Sequence, residues 1–231
     1  MTASGAELAG LAGLLADRTR AAFCLALLDG RAWTAGELAA HAEVAPSTAS
    51  EHLHRLIDGG LLVERRQGRH RYVQLAGPET ARLIEDLVGY LGPPRNRGRT
   101  LRAASASAAL ARGRTCYDHL AGQLGVAISD AMTARGLLNQ VDGFALTEAG
   151  LAWLERELGA DLAELRASRR PLVKACLDWT ERRSHLAGSA GALVCRSVLE
   201  RGWVKRIGSG RAVRVTPAGT AALWELLGLR L

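Results

Sequence analysis

Two short segments of the chain set a thiol and an imidazole near an acidic residue: Cys116-x-Asp118-His119, and Cys176-x-Asp178-Trp179 with His185 further on. If the first segment is helical, Cys116 and His119 share one face, because side chains three apart are neighbours on a helix. Thiolates and imidazoles suit zinc or another thiophilic metal, and four donors, Cys116, His119, Cys176 and His185, would close a tetrahedral site. The same residues suit a thiol that senses oxidants or electrophiles. They also suit a structural role, with thiols in a core and the His and Asp side chains hydrogen-bonded. The sequence leaves these three readings open. Cys24 and Cys195, on apolar helical stretches, read as core.

A second set of residues is built for an anionic partner. Pro46 suits the first position of a helix in which Ser47, Thr48, Ser50, Glu51, His54 and Arg55 are polar while Ala49, Leu53, Leu56 and Ile57 form the apolar stripe. Gly59-Gly60 ends it, and two strands follow, Leu61 to Arg66 and His70 to Leu75, around a tip of Gln67-Gly68-Arg69. Short donors and acceptors at a helix N-terminus reach base edges, and Arg65, Arg66, Arg69, His70 and Arg71 on the hairpin reach phosphate or the minor groove. His52, just before Leu53, reads instead as a hydrogen-bonded residue at the core edge.

Helices must carry both sets. Most of the chain has a helical period and aromatics make up only 4% of it, which excludes a strand-rich fold. Helices are expected at Ala6 to Leu15; from the cap Asp17 to about Asp29, with Ala21, Leu25 and Leu28 inward; and at Ala35 to His41, after a Thr34-x-x-Glu37 capping box. Another is expected at Pro78 to Leu91. Gly92-Pro93-Pro94-Arg95-Asn96-Arg97-Gly98 reads as a linker, with helix resuming over Leu101 to Ala111. Beyond it the chain repeats itself. His119-Leu120-Ala121-Gly122 and Arg135-Gly136 recur 66 residues later as His185-Leu186-Ala187-Gly188 and Arg201-Gly202, and Thr147-x-Ala149-Gly150 recurs 69 later as Thr216-x-Ala218-Gly219. Each copy reads as helix, helix ending in Arg-Gly, extended stretch and Thr-x-Ala-Gly turn into a helix, a winged-helix-like layout. The fold class is thus mainly α with short β-hairpins. It comprises a first domain of helices and a basic hairpin (1–92), which the resemblance given below makes a winged helix-turn-helix domain for DNA binding and dimerisation, a basic linker and helix (93–114), and a C-terminal domain (115–231), regulatory on the same resemblance, with repeats at about 115–160 and 176–231.

The net charge is +7, divided as −2 over residues 1–92, +6 over 93–114 and +3 over 115–231. Basic charge is therefore local, and it favours an anionic partner. Four scattered cysteines make no disulfide framework, and no apolar run approaches the length of a membrane span. With no secretion signal at Met1 to Gly10, a cytoplasmic protein with no membrane partner is expected. No Gly-rich phosphate loop, nucleophile elbow or His-Glu-x-x-His pattern occurs, so an enzyme is not expected. Trp153, Trp179, Trp203 and Trp224 read as core anchors or as the lining of an apolar effector pocket.

The run from Asp17 to Leu75 resembles the ArsR/SmtB family of winged helix-turn-helix regulators. The resemblance rests on Asp17-Arg18-Thr19-Arg20, Thr34-Ala35-Gly36-Glu37-Leu38-Ala39, Pro46-Ser47-Thr48-Ala49-Ser50-Glu51-His52-Leu53, Leu56-Ile57-Asp58-Gly59-Gly60-Leu61-Leu62 and the wing Gly68-Arg69-His70-Arg71-Tyr72. It implies a homodimeric repressor, paired through the helices at Ala6 to Leu15 and Pro78 to Leu91, on a palindromic double-stranded DNA operator. A metal or small-molecule effector would control it. The chain departs from the family at the sensor positions. Glu37 to Val44 contains no cysteine and Thr80 to Leu91 no histidine, so neither usual metal site carries over. Sensing falls to the long C-terminal extension. The alternative function is a winged-helix protein–protein interaction module without specific DNA binding; the basic wing argues against it.

Overall fold

The computed structural model describes residues 4–67, 70–91, 101–141, 143–167, 170–208 and 210–231. The chain divides into two compact units, Met1–Asp86 and Leu87–Leu231.

In the first unit, helices start where capping chemistry dictates. α1 (Gly5–Leu15) opens on a capping box of Ser4 and Glu7, and α2 (Arg18–Leu27) on the carboxylate of Asp17, which accepts from the Arg20 N–H at 3.0 Å. After the two-residue strand β1 (Trp33–Thr34), the expected Thr34/Glu37 box opens α3 (Ala35–His41), and Pro46 stands at the first turn of α4 (Pro46–Asp58). Gly60, at φ +74°, turns the chain out of α4. The strands β2 (Leu62–Gln67) and β3 (His70–Leu75) pair antiparallel, β1 adds to the free edge of β3, and α5 (Pro78–Leu91) follows. Phe23, Leu27, Leu38, Ala49, Leu53, Leu56, Leu62 and Ile84 are buried. The inward face of α2 differs from expectation. Phe23, Cys24 and Leu27 are buried and Leu25 is exposed; only Leu28 of the expected set is fully inside.

The second unit takes in the end of α5, continues with α6 (Leu101–Arg112) and then runs twice through one pattern of hairpin, helix, hairpin, helix. The first copy is β4 (Arg114–Cys116), β5 (His119–Ala121), α7 (Gly122–Ala134), β6 (Leu138–Asn139), β7 (Ala145–Leu146) and α8 (Glu148–Leu158). The short α9 (Leu162–Ala167) intervenes. The second copy is β8 (Lys174–Leu177), β9 (Ser184–Ala187), α10 (Gly188–Glu200), β10 (Val204–Arg206), β11 (Val213–Val215) and α11 (Pro217–Leu227). All the strand pairs are antiparallel.

The matched residues do matched work. Thr147 and Thr216 accept from Gly150 N–H and Gly219 N–H as helix caps and donate to the carbonyls of Gly136 and Gly202. One core serves both copies: Leu124, Ile128, Met132 and Trp153 of the first join Leu186, Leu193, Val194, Val198 and Leu223 of the second. One expected element is corrected. Each copy opens with a hairpin where a helix is expected, and Cys116 and His119 face each other across β4 and β5 instead of sharing a helix face. The expected linker at 92–98 lies outside the described residues.

Candidate functional site

The second unit gathers all four predicted thiol and imidazole donors. Cys116 pairs with His119 across the first hairpin and Cys176 with His185 across the other. Because the copies pack face to face, like meets like: Cys116 Sγ lies 3.6 Å from Cys176 Sγ, and His119 Nε2 lies 3.1 Å from His185 Nε2. One ligand atom from each of the four fits within a span of 4.8 Å. Cys116, His119 and His185 are buried and Cys176 partly so.

Each imidazole presents its far nitrogen to a carboxylate. His119 Nδ1 is 3.3 Å from Asp118, which Arg170 also grips; His185 Nδ1 is 3.3 Å from Asp178. Asp178 is wholly buried and takes hydrogen bonds from Arg114 at 2.9 Å, Gly122 N–H at 2.6 Å and Thr180 Oγ1 at 2.6 Å. Burial alone would raise its pKa. His185, Arg114, Thr180 and Gly122 together hold it far below the usual carboxylate range. Asp118 is likewise lowered, with His119 and Arg170 outweighing burial. Burial disfavours a Cys176 thiolate, yet hydrogen bonds from His119 and His185 more than reverse this and lower its pKa. His185 is disfavoured as a cation by burial and favoured by Asp178 and Cys176, with a net upward shift. Elsewhere burial governs: the Cys24 thiol is pushed up to about 11 and Cys195 to about 12, as inert core thiols are.

Sequence reasoning missed the supporting shell. On the sequence, Asp118 and Asp178 read as hydrogen-bonded residues only in the structural alternative and not as supports of the imidazoles, and the repeated Cys-x-Asp step is the available signal. Arg114, expected in the basic linker segment, is 1% exposed and is committed to Asp178. It stacks over Trp179 at 4.5 Å. Of the expected aromatic anchors, Trp153 is in the core, whereas Trp224 is half exposed under Arg230.

In the first unit, α4 buries Ala49, Leu53 and Leu56 and turns Ser47, Thr48, Glu51, His54 and Arg55 outward, with Ser50 at the margin. Glu51 and Arg55 form an ion pair at 2.7 Å along this face. On the wing, Arg65, Arg66 and Arg71 are exposed; Glu64 binds both Arg66, at 3.2 Å, and Arg71. His70 begins β3, and Arg69 lies outside the described residues. His52 sits at the core edge, 3.4 Å from Arg20 and 3.6 Å from Asp17, as expected. Arg20 in turn donates to the carbonyls of Gly13 and Leu14 at the end of α1.

Residues 15–65 match the family described as helix-turn-helix domain. Over 226 residues the chain is 36% identical to the uncharacterized HTH-type transcriptional regulator YdfF of Bacillus subtilis, covering 97% of this chain and 99% of that one. The chain belongs to the HTH-type transcriptional regulators. This regulator is also similar to the HTH-type transcriptional regulator CmtR of Mycobacterium tuberculosis, 42% identical over 81 residues, which span 35% of this chain and 68% of CmtR. Among solved structures, that of the cadmium metal-sensor CmtR from Mycobacterium tuberculosis is 35% identical over 40% of this chain and 96% of its own, at a TM-score of 0.33. A homodimeric winged helix-turn-helix domain from Mycobacterium bovis, described as a possible ArsR-family regulator, is 30% identical over 37% of this chain and 78% of its own, at a TM-score of 0.34. The regulator's likeness to YdfF spans 97% of the chain and therefore extends through the second unit. No helix among the described residues is long and apolar enough to cross a membrane.

Proposed function

We propose that this DNA-binding transcriptional regulator acts as a homodimeric repressor on a palindromic operator, controlled by a signal read in the unit Leu87–Leu231. The observation that carries the DNA contact is the outward face of α4, with Ser47, Thr48, Glu51, His54 and Arg55 above a fully apolar inner stripe, flanked by the exposed wing arginines. The helix N-terminus brings short polar groups to base edges and its amide dipole to phosphate; Arg65, Arg66, Arg69, His70 and Arg71 bind the backbone or minor groove alongside. Dimerisation draws support from α1, which buries none of its residues and leaves Leu8 65% exposed, as a helix awaiting a partner does.

An effector controls such a protein only by binding the DNA-competent and incompetent arrangements of the two recognition helices unequally. Among the described residues, the duplicated unit supplies a buried cluster of thiol and imidazole donors that could hold it, and such donors favour a metal as the effector. The test is fluorescence anisotropy of the reduced protein against the DNA upstream of its own gene and a scrambled duplex, with and without zinc. Preference for the native duplex is expected. Equal, weak and salt-sensitive binding to both would favour the protein–protein module instead.

A further inference from the structure

We propose that Cys116, His119, Cys176 and His185 form a closed tetrahedral site for one soft divalent cation of the zinc class, built on the local twofold between the two repeats. The assignment rests on the cluster alone, independently of DNA binding, and it supplies the ligand class for the signal-reading unit proposed above.

Distances argue for it first. Zinc binds sulfur at about 2.3 Å and imidazole nitrogen at about 2.0–2.1 Å, so the edges of a tetrahedral site are about 3.8 Å between sulfurs and about 3.3 Å between nitrogens. The sulfurs here stand 3.6 Å apart and the nitrogens 3.1 Å apart. These two edges match to a few tenths of an ångström, while the widest separation among the four donors, 4.8 Å, must close by about 1 Å to seat the cation.

The imidazole tautomers argue for it next. The two Nε2 atoms face one another in a buried space, and a bound cation would take their lone pairs and leave each ring proton on Nδ1, which stands 3.3 Å from Asp118 or Asp178. At 3.1 Å apart the two nitrogens can both turn to a single cation. A carboxylate behind each imidazole is the arrangement that orients a histidine for metal and raises its basicity.

Charge also closes. On binding, both thiols lose their protons to solvent, and two thiolates neutralise the dication while the neutral imidazoles add none. Asp118 and Asp178 are balanced by Arg170 and Arg114. Four protein donors leave no coordination position for a substrate, which marks a structural or sensing site and not a catalytic one.

The probe is cobalt(II), added to the full-length protein after chelation and reduction. The expected result is one cobalt per chain, with the strong red-region bands of tetrahedral cobalt, a thiolate charge-transfer band in the near ultraviolet, and displacement by zinc. Cys116→Ser and Cys176→Ser should each weaken binding at least a hundredfold, and Cys24→Ala should leave it unchanged. If a serine variant fails to fold by circular dichroism, His119→Gln carries the test, with loss of the tetrahedral bands expected. Zinc should also shield two thiols of the wild type from an alkylating reagent. Absence of cobalt binding to the folded, reduced protein would overturn the assignment. So would a spectrum without the thiolate band, retention of binding in a folded Cys116→Ser protein, or a Cys116–Cys176 disulfide that forms equally fast with and without zinc. A failure of DNA binding in the anisotropy experiment leaves these outcomes untouched.

Discussion

His119 packs against the place where a side chain on Gly191 would stand: a Cβ there would lie 3.3 Å from the His119 Cβ, and one on Gly125 would lie 3.7 Å from that of His185. Each histidine is thus seated over the helix glycine of the opposite repeat. Glycine is also required by the helix's own hairpin. An added Cβ would fall 2.4 Å from the Leu120 carbonyl at Gly125, and 2.4 Å from the Leu186 carbonyl at Gly191. Bare backbone at these points lets α7 and α10 sit close behind β5 and β9, and so brings the two imidazoles together.

Gly125→Ala and Gly191→Ala should therefore destabilise the protein by similar amounts, about 1–3 kcal/mol each, because backbone must move to admit the methyl group. Chemical denaturation measures the stability, and the cobalt bands report on site geometry in the same samples. A neutral effect of either substitution would show that the hairpins can retreat without cost.

The two carboxylates behind the histidines should differ sharply when neutralised. Asp178 is fully buried opposite an equally buried Arg114, so Asp178→Asn strands a guanidinium in the interior and should cost about 3–5 kcal/mol. Asp118 and Arg170 are each nearly a third exposed, and Asp118→Asn should cost below about 1 kcal/mol. Both should weaken metal binding by about 10–100-fold, since both orient a ligand. Urea unfolding separates the two effects: equal stability loss would contradict the asymmetry.

Much of this organisation was legible in the chain because it depends on local chemistry. The Thr34/Glu37 box, Pro46 at the start of α4 and the Thr147 and Thr216 caps are signals that act within four residues. The wing was marked by its Gly-containing tip. The first repeat hairpin was not. Its turn is Tyr117-Asp118, with Tyr117 at φ +57°, a left-handed position that ordinarily calls for glycine or asparagine. With no such residue to signal a turn, the Cys116 to His119 spacing fits a helix equally well. The donors themselves were named from their types, but their convergence depends on packing between segments about sixty residues apart, which no local pattern encodes.

At the start of α2, Asp17 accepts from the Arg20 N–H, and this bond, opposed by a smaller burial effect, holds its carboxyl below the ordinary value. A carboxyl lowered in the folded state contributes stability above its unfolded pKa and loses it as pH falls through the folded value. Asp17→Ala should cost about 1 kcal/mol at pH 7, as a lost helix cap does. The difference between the two proteins should shrink steadily below pH about 4. Thermal unfolding across pH checks it, and a constant difference down to pH about 2 would mean that the charge of Asp17 is immaterial.

On the wing, Glu64 holds guanidinium groups that the proposed DNA contact would use. It pairs with Arg66 and Arg71, which lower its own pKa, while its cross-strand neighbour is Val73. Phosphate must displace the carboxylate to use these two arginines, whereas exposed Arg65 is paired across the strands with Tyr72 and not with Glu64. Arg65→Ala should therefore weaken binding to all duplexes alike and reduce the salt slope by about one. Glu64→Gln should do the reverse, strengthening binding most at low salt and steepening the slope, with little change in discrimination between duplexes. Anisotropy titrations over a salt series measure all three quantities. Unchanged affinity in both variants would remove β2 and β3 from the DNA interface and leave α4 to bind alone.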